Sequence, residues 1–346
     1  MPTTSLTRPT ARGPGWDRQQ ALQATLVQVE RRYGHGAIWR LGGQPIAAVP
    51  VIPTGSLALD LALGVGGLPR GRISEVYGQE AAGKTTLPLS VIAQAQQAGG
   101  TALFVDAEHA LDLAYAQAVG VDMERLLVCQ PDHAEHALKV LEALVRSGAL
   151  AVAVVDSVPA LLPKVELEGE IGDDNTGVFG RLMAQAMRKL AGPIATSGTT
   201  LVLVNQLRDN PAVLFGSPER VPGGRALKHQ AAVRLDLRVR ERLKDQGHVI
   251  GDRIRVKVVK NKVAAPCRAV ELDLRYGQGI DRASELLDLG LAHGLIKQTG
   301  AGYRFGSSRL GAGHEDTRRF LKDHPDLAGR LRAQLTSDLP QGGQAA

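Results

Sequence analysis

The stretch "ISEVYGQEAAGKTTLPLS", Ile73 to Ser90, decides the fold. Its first five residues form a short apolar run of strand type, and from Thr86 the pattern turns helical through "LPLSVIAQAQQ". Between the two, Gly78 and Gly83 bracket Gln79, Glu80, Ala81 and Ala82, and Lys84, Thr85 and Thr86 follow. This is the spacing G-x-x-x-x-G-K-[ST] of a phosphate-binding loop. Glycines let the backbone curl where a Cβ would collide, so that several N–H groups and a helix N-terminus converge on one anion. Lys84 then brings a point charge to the β and γ phosphates of ATP, and the Thr85 hydroxyl offers a ligand to Mg²⁺. A glycine-rich turn that only starts a helix is the plainer alternative; the strand before and the helix after are the two flanks the phosphate loop requires. Pro88 lies inside the first turns of that helix. There its missing N–H and its ring disturb the carbonyl of Lys84, at less than the roughly 3 kcal/mol of a helix interior.

Composition narrows the setting. At 346 residues, 44% hydrophobic and 22% charged, the chain is an ordinary globular protein, long enough for a large core with satellites. Cys129 and Cys267 are far apart with no C-x-x-C spacing, which fits a reducing compartment and excludes a zinc site or disulfide framework. No apolar run approaches the roughly 18 residues of a membrane span. The opening "MPTTSLTRPTARGPGW" carries Arg8 and Arg12 but no apolar segment, so residues 1–16 read as a disordered basic tail rather than a signal peptide, and the chain as cytoplasmic. A net charge of +6 suggests a polyanionic partner, and its arrangement says more than its size. In "VRLDLRVRERL" and "RIRVKVV", from Val233 and Arg253, apolar and mostly cationic residues alternate, the mark of strands with one apolar and one cationic face.

Around the loop, strands alternate with helices. "ISEVY", "TALFVDA", "RLLVCQ", "LAVAVVD" and "TTLVLVNQ" are separated by helical stretches such as "HAEHALKVLEALVRSG", which predicts βαβ units and a mainly parallel sheet. An amphipathic helix over Asp17 to Tyr33, with Leu22, Leu26 and Val29 on its apolar side, precedes them and ends at Gly34. Ligands of such sheets bind beyond the carboxyl ends of the strands, so the polar residues there are the candidates: Glu108, Asp156, Asn205 and Gln206. Asp156, closing a wholly apolar strand, has the form of the acid that holds Mg²⁺, although a strand-ending Asp also starts turns. Glu108 suits either a base for the attacking water or a carboxylate set against a helix dipole; the residues alone leave the two level. After Asp156 and after Gln206 come "SVPALLPKVELEGEIGDDNTGVFGR" and "LRDNPAVLFGSPERVPGGRALK", each containing stretches too rich in Gly, Pro and polar residues for regular structure. Both emerge where the phosphates sit.

Taken in order, "TGSLALDLALGVGGLPRGRISEVYGQEAAGKTT", "FVDAEHALD", "VVDSV", "ELEGEIGD", "AQAMRKLA", "VNQ" and "VKVVKNKVAAP" resemble the bacterial RecA recombinase family, from about Asp17 to about Gln334. The resemblance implies an α/β fold with a RecA-like P-loop NTPase core at 49–280. A helix and filament-interface segment at 17–48 precedes the core, and a small C-terminal α/β domain at 281–336 and a flexible tail at 337–346 follow it. It implies a DNA-dependent ATPase that polymerises on single-stranded DNA, pairs it with homologous duplex and, in the SOS response, promotes self-cleavage of a LexA-type repressor. ATP and Mg²⁺ are its cofactors. By the same resemblance Glu108 is the general base, Gln206 senses the γ-phosphate, and Asp112, Tyr115 and Tyr276 flank the adenine. The two irregular stretches become DNA-binding loops, with Arg181 and Arg188 beside the first and Asn210, Gly223, Gly224 and Arg225 in the second. Lys260 and Lys262 reach the ATP site of the neighbouring subunit, the N-terminal helix packs on the next protomer, and the C-terminal domain gathers duplex DNA. Charge patterning alone makes "VKVVKNK" a solvated strand edge.

The chain departs from that family at Pro88, at Pro211 and Pro222 in the second loop, at His229 and Gln230 where an aromatic pair is usual, and at Gly302 where a tryptophan is common. It ends in the nearly uncharged "SDLPQGGQAA" where many relatives carry an acidic tail. Two other functions stand beside strand exchange: a small-molecule kinase, and a nucleotide-dependent DNA-binding filament with weak ATP turnover that serves repair signalling.

Overall fold

The computed structural model describes residues 18–35, 37–38, 48–170, 173, 177–209, 219–300 and 302–337. It divides into two compact units, 1–47 and 48–346. In the first, helix α1 (Arg18–Tyr33) buries none of its residues, and Leu22 and Val27 stay exposed. Asp17 and the tail at 338–346 lie outside the described residues.

The second unit is α/β, as the alternation of strands and helices predicts. A short ladder, β1 (Val51–Ile52) on β2 (Leu68–Pro69), flanks helix α2 (Leu57–Leu63). The main sheet is built from β3 (Ile73–Gly78), β4 (Thr101–Asp106), β5 (Leu126–Cys129), β6 (Leu150–Asp156) and β7 (Thr200–Gln206). Between them run α3 (Thr86–Gln97), α4 (Leu113–Val119), α5 (Ala134–Arg146), α6 (Lys164–Glu168) and α7 (Val178–Ser197). Two-residue strands β8 (Arg208–Asp209) and β9 (Glu219–Arg220) pair with each other before α8 (Gly224–Gln230). The long strands β10 (Val233–Asp245) and β11 (His248–Asn261), then β12 (Ala269–Arg275) and β13 (Gly279–Ile280), complete nine strands in the order β13-β12-β11-β10-β3-β7-β6-β4-β5. From β10 to β5 neighbouring strands are parallel; from β10 to β13 they are antiparallel.

The sequence accounts for this division. Every residue of β6 is buried, as a strand covered by helices on both faces must be. β10 and β11 alternate instead: Val233, Leu235, Leu237, Ile254, Val256 and Val258 point into the core while Asp236, Arg238, Arg255 and Lys257 between them stay at least partly exposed; Arg234 is the exception and is buried. Asp245 pairs with His248 across Gln246 and Gly247, both at positive φ, which is the two-residue turn that suits the twist of a hairpin. One core lies between the sheet and α3, the other between the sheet and α5 and α7.

A third core belongs to the C-terminal elements: α9 (Arg282–Ala292), the three-stranded sheet β14 (Ile296–Thr299), β15 (Gly302–Phe305) and β16 (Ser308–Gly311), then α10 (His314–Asp323) and α11 (Pro325–Thr336). Glu285 on α9 fastens this part to α2. It takes hydrogen bonds from the Ser56 hydroxyl and from the N–H groups of Leu57 and Ala58, at 2.8 and 3.0 Å for the last two. Gly302 has a local reason: a Cβ there would come within 2.2 Å of the Gly311 carbonyl oxygen, so no larger residue fits this backbone. Among the described residues no helix is long and apolar enough to cross a membrane.

Candidate functional site

Register gathers the candidates. Gly78 pairs with Gln206 and Asp106 with Asp156, so β3, β7, β4 and β6 deliver their last residues to one edge of the sheet. The loop then turns tightly. A Cβ on Gly78 would lie 2.1 Å from the Leu237 carbonyl oxygen, while Ala81 and Gly83 take φ of 58° and 79°. Helix α3 starts at Thr86 with Thr85 as its N-cap, yet the Thr85 side chain makes no capping bond. Its hydroxyl goes to Asp156 Oδ2, 2.6 Å away, which leaves the first-turn N–H groups without a side-chain acceptor. Pro88 is the third helical residue. Leu87 N–H reaches the Gly83 carbonyl and Leu89 N–H the Thr85 carbonyl, both at 3.1 Å, and the bond missing between them is the one to Lys84. The proline therefore removes a single bond from the first turn and leaves the helix intact.

Burial and charge tune the site. Lys84 Nζ donates to the Gln79 carbonyl at 2.6 Å, and burial lowers its proton affinity against the pull of Asp156, Glu108 and Glu80. Burial also pushes Asp156 up to about 6. A buried carboxyl and a hydroxyl in contact, with too little positive charge around them, are the hard oxygen donors a magnesium ion takes, so Thr85 and Asp156 fit that ion. On the far side Glu108 accepts from Gln206 Nε2 at 3.0 Å and from the Ser157 hydroxyl, the Asp156–Ser157 peptide being cis. Asp106 is buried, accepts from the N–H groups of Ala110 and Leu111, and so shapes the turn that carries Glu108. Sequence reading passed over both Ser157 and Asp106; strand-end position was the signal available for each.

Asn205 has a different partner set. Its amide donates to Glu75 Oε1 at 3.1 Å and to the Pro222 carbonyl at 2.9 Å, and Glu75 also holds Arg234 Nε at 2.5 Å. Thus one strand end reaches Glu108 through Gln206 and the second irregular loop through Asn205.

Gly78, Glu80, Ala81, Gly83, Lys84, Thr85, Thr86, Glu108, Asp156 and Gln206 line a cleft of about 610 Å³ that Tyr115 and Tyr276 also enter. The Tyr115 hydroxyl meets that of Thr86 at 2.7 Å, and Tyr276 donates to Asp252 Oδ2 at 2.8 Å. Asp112 does not line the cleft. It is the N-cap of α4 and accepts from Tyr115 N–H at 2.9 Å, a local bond that fixes the helix carrying that ring. Gln79 and Ala82 are also outside the lining, Ala82 being buried.

The cationic candidates lie elsewhere. Arg181 and Arg188 are exposed on α7, two turns apart and so on one face. Gly223 and Gly224, at φ 90° and 75°, turn the chain into α8, where Arg225 is exposed. Asn210 falls outside the described residues. The first loop is more regular than its composition suggests: Val158–Ala160 forms a 3-10 turn and α6 follows. Lys260 and Lys262 do not join the cleft. Lys260 Nζ donates to the carbonyls of Lys228 and His229 at 2.8 and 3.0 Å, and Lys262 Nζ to that of His229 at 3.2 Å, all at the C-terminal end of α8 where the helix dipole favours cations.

Comparison with known proteins agrees with this geometry. The RecA N-terminal domain model matches residues 20–281 and the RecA C-terminal domain model residues 284–339. Protein RecA of Streptomyces ambofaciens is 53% identical over 328 residues, 95% of this chain and 88% of that protein. Protein RecA of Salinispora arenicola is 52% identical over 329 residues, 95% and 94% of the two chains, and that of Rubrobacter xylanophilus 52% over 328 residues, 95% of each. With both domain models matched in order and half the residues shared over nearly the full length, the chain belongs to the RecA family of DNA-dependent ATPases that act in homologous recombination and repair.

Proposed function

We propose that this ATPase works as a helical filament wound on single-stranded DNA, in which each ATP is served by two adjoining chains, and that the filament pairs its strand with homologous duplex. The observation that carries the reading is the separation of Lys260 and Lys262 from the cleft. Within one chain, Lys84 and the first-turn N–H groups of α3 bind the phosphates, Thr85 and Asp156 hold Mg²⁺, and Glu108 takes a proton from the attacking water. The ion supplies charge to the β and γ oxygens. Charge that develops in the transition state calls for further cations, and Lys260 and Lys262 of the next chain bring them when the interface closes. A head-to-tail contact of this kind does not close on itself and grows into a helix.

Gln206 donates to the γ-phosphate and gives up Glu108 as it does so. Asn205, one residue back, carries that change to the second loop, where Asn210, Gly223, Gly224 and Arg225 meet DNA together with Arg181 and Arg188. Asp112, Tyr115 and Tyr276 hold the adenine. In the cytoplasm the same filament is the surface on which a LexA-type repressor cleaves itself. Its segments are 17–48 for assembly, 49–280 for catalysis and 281–336 for capture of duplex DNA.

Lys260→Ala and Glu108→Ala subunits test the shared site. Each alone loses most DNA-stimulated hydrolysis while Lys260→Ala monomers still bind nucleotide; mixed, they recover turnover at junctions where an intact Glu108 meets an intact Lys260. Mixed filaments with no more turnover than the separate variants overturn the reading. A second reading, a filament that turns ATP over slowly, draws on the bond to the Lys84 carbonyl that Pro88 removes. Hydrolysis measured with and without single-stranded DNA separates it from the first.

A further inference from the structure

A second cleft, of about 710 Å³, opens between the ATPase core and the C-terminal helices and reaches Ser90 of α3. Five cations line it, Arg275, Arg282, Arg318, Lys322 and Arg332, against one acid, Asp281. Two of the five are neutralised. Arg275 and Arg318 share Asp281, at 2.5 and 3.3 Å, and share Glu315, at 2.9 and 2.6 Å. The other three have no carboxylate in direct contact. Among the described residues Arg282 and Arg332 make no side-chain hydrogen bond or ion pair, and Lys322 reaches only the Gln278 amide oxygen at 3.4 Å. The nearest spare carboxyls, Glu285 and Asp60, are buried and committed, Glu285 to Ser56, Leu57 and Ala58, and Asp60 to the N–H and hydroxyl of Thr54.

We propose that this cleft is a second anion site, which takes a small phosphorylated ligand of nucleotide size, its phosphates held by Arg282, Arg332 and Lys322. The charges call for such a ligand. Partial desolvation and then the neighbouring Arg332 hold Arg282 below its ordinary proton affinity against the weaker pull of the buried Glu285 and Asp60, an arrangement that a polyanion between the two arginines relieves. The Arg282 guanidinium stands over Gly55 and Ser90, since a Cβ built on Gly55 would lie 3.4 Å from its Nη2 and 2.0 Å from Ser90 Oγ. Val119, Ile280 and Leu286 add apolar lining, which gives a ring or base somewhere to lie. Volume selects among phosphate carriers. A cleft of this size matches a nucleotide, whereas a duplex presents its phosphates on a surface too broad to enter it. Ser90 belongs to α3, so a ligand here leans on the helix whose first turn frames the ATP phosphates.

Equilibrium dialysis of the full chain with labelled ADP and Mg²⁺, carried to about 1 mM, tests the site. Two ADP per wild-type chain are expected, one at the phosphate loop and one here, falling to one in Arg282→Gln/Arg332→Gln with the phosphate-loop affinity unchanged. The phosphate-loop affinity also reports the fold. If the double variant loses both sites, Lys322→Gln, an exposed change, carries the same test and should weaken only the second site, by about tenfold for one lost charged contact. One ADP per wild-type chain overturns the proposal, as does a second ADP that survives in both variants. A short DNA duplex run in parallel separates the sources: if the variants lose duplex binding while the wild type takes one ADP, the cations belong to a nucleic-acid surface and the proposal fails.

Discussion

Two places on the main sheet hold charge in opposite ways, even though other cations of its antiparallel flank are paired, Arg238 with Glu219 and Arg253 with Asp273. At the carboxyl ends of β6 and β7 the polar side chains answer one another across long stretches of chain: Thr85 with Asp156, and Gln206 and Ser157 with Glu108. On the antiparallel flank, Lys260 and Lys262 rest on main-chain carbonyls, and among the described residues neither has an acid within ion-pair distance. A network that closes within one chain is set when the chain folds. Cations parked on a helix end lose little when something else claims them, because exposed contacts of this kind are worth little. The difference teaches where to look for what a single chain lacks.

The hardest blow to the network at the ends of β6 and β7 is Lys84→Ala. It removes the point charge proposed for the phosphates, and ATP hydrolysis should fall on the order of a hundredfold or more; retained hydrolysis with nucleotide-dependent DNA binding would break the assignment of the loop. Next comes Asn205→Ala, which leaves Glu75 Oε1 and the Pro222 carbonyl short of a donor. A loss of about 2 kcal/mol in denaturant unfolding is expected, with DNA-stimulated turnover reduced more than turnover without DNA. Equal reduction of the two would mean that Asn205 only supports the sheet.

A pH experiment sharpens the contrast outside the site. Burial raises Asp60 to about 8 from an ordinary 3.8. Folded, the carboxyl keeps its proton up to about 8, while unfolded it releases it from 3.8 upward. Its contribution to stability is therefore whole below 3.8 and is lost as pH rises toward 8. Asp60→Asn keeps the acceptor for Thr54 and should flatten this decline, so that thermal melting improves more near pH 8 than near pH 5. A parallel shift at both would assign the effect to something other than the proton. The smallest effect is Pro88→Thr, which restores an N–H facing the Lys84 carbonyl. It should add up to about 1 kcal/mol or tighten nucleotide binding modestly. If melting temperature and affinity both fall, the helix has been built around proline.

Much of this was legible before any coordinates. Alternation in "VRLDLRVRERL" and unbroken apolar character in "LAVAVVD" distinguish a half-exposed strand from a covered one, and a strand's end marks where Asp156 and Gln206 must stand. What stayed hidden depends on partners remote in sequence. Ser157 is an ordinary serine until Glu108 lies beside it, and Glu285 reads as a surface residue of α9 until the start of α2 is folded against it. Asp112 carries two readings. Resemblance placed it at the adenine, and the fold gives its carboxylate a local task at the start of α4.

Asn205 and Gln206 are neighbours, and neighbours on a strand leave on opposite sides. Whatever inherits one inherits the other, because a single inserted or deleted residue upstream in β7 would exchange their directions and send the loop's anchor toward Glu108 and the amide of Gln206 toward Glu75. A chimera that borrows the second loop from a relative must therefore cut before Val204 rather than at the loop's visible start. Otherwise Asn205 and Gln206 come from one protein and the loop that Asn205 holds at Pro222 from another.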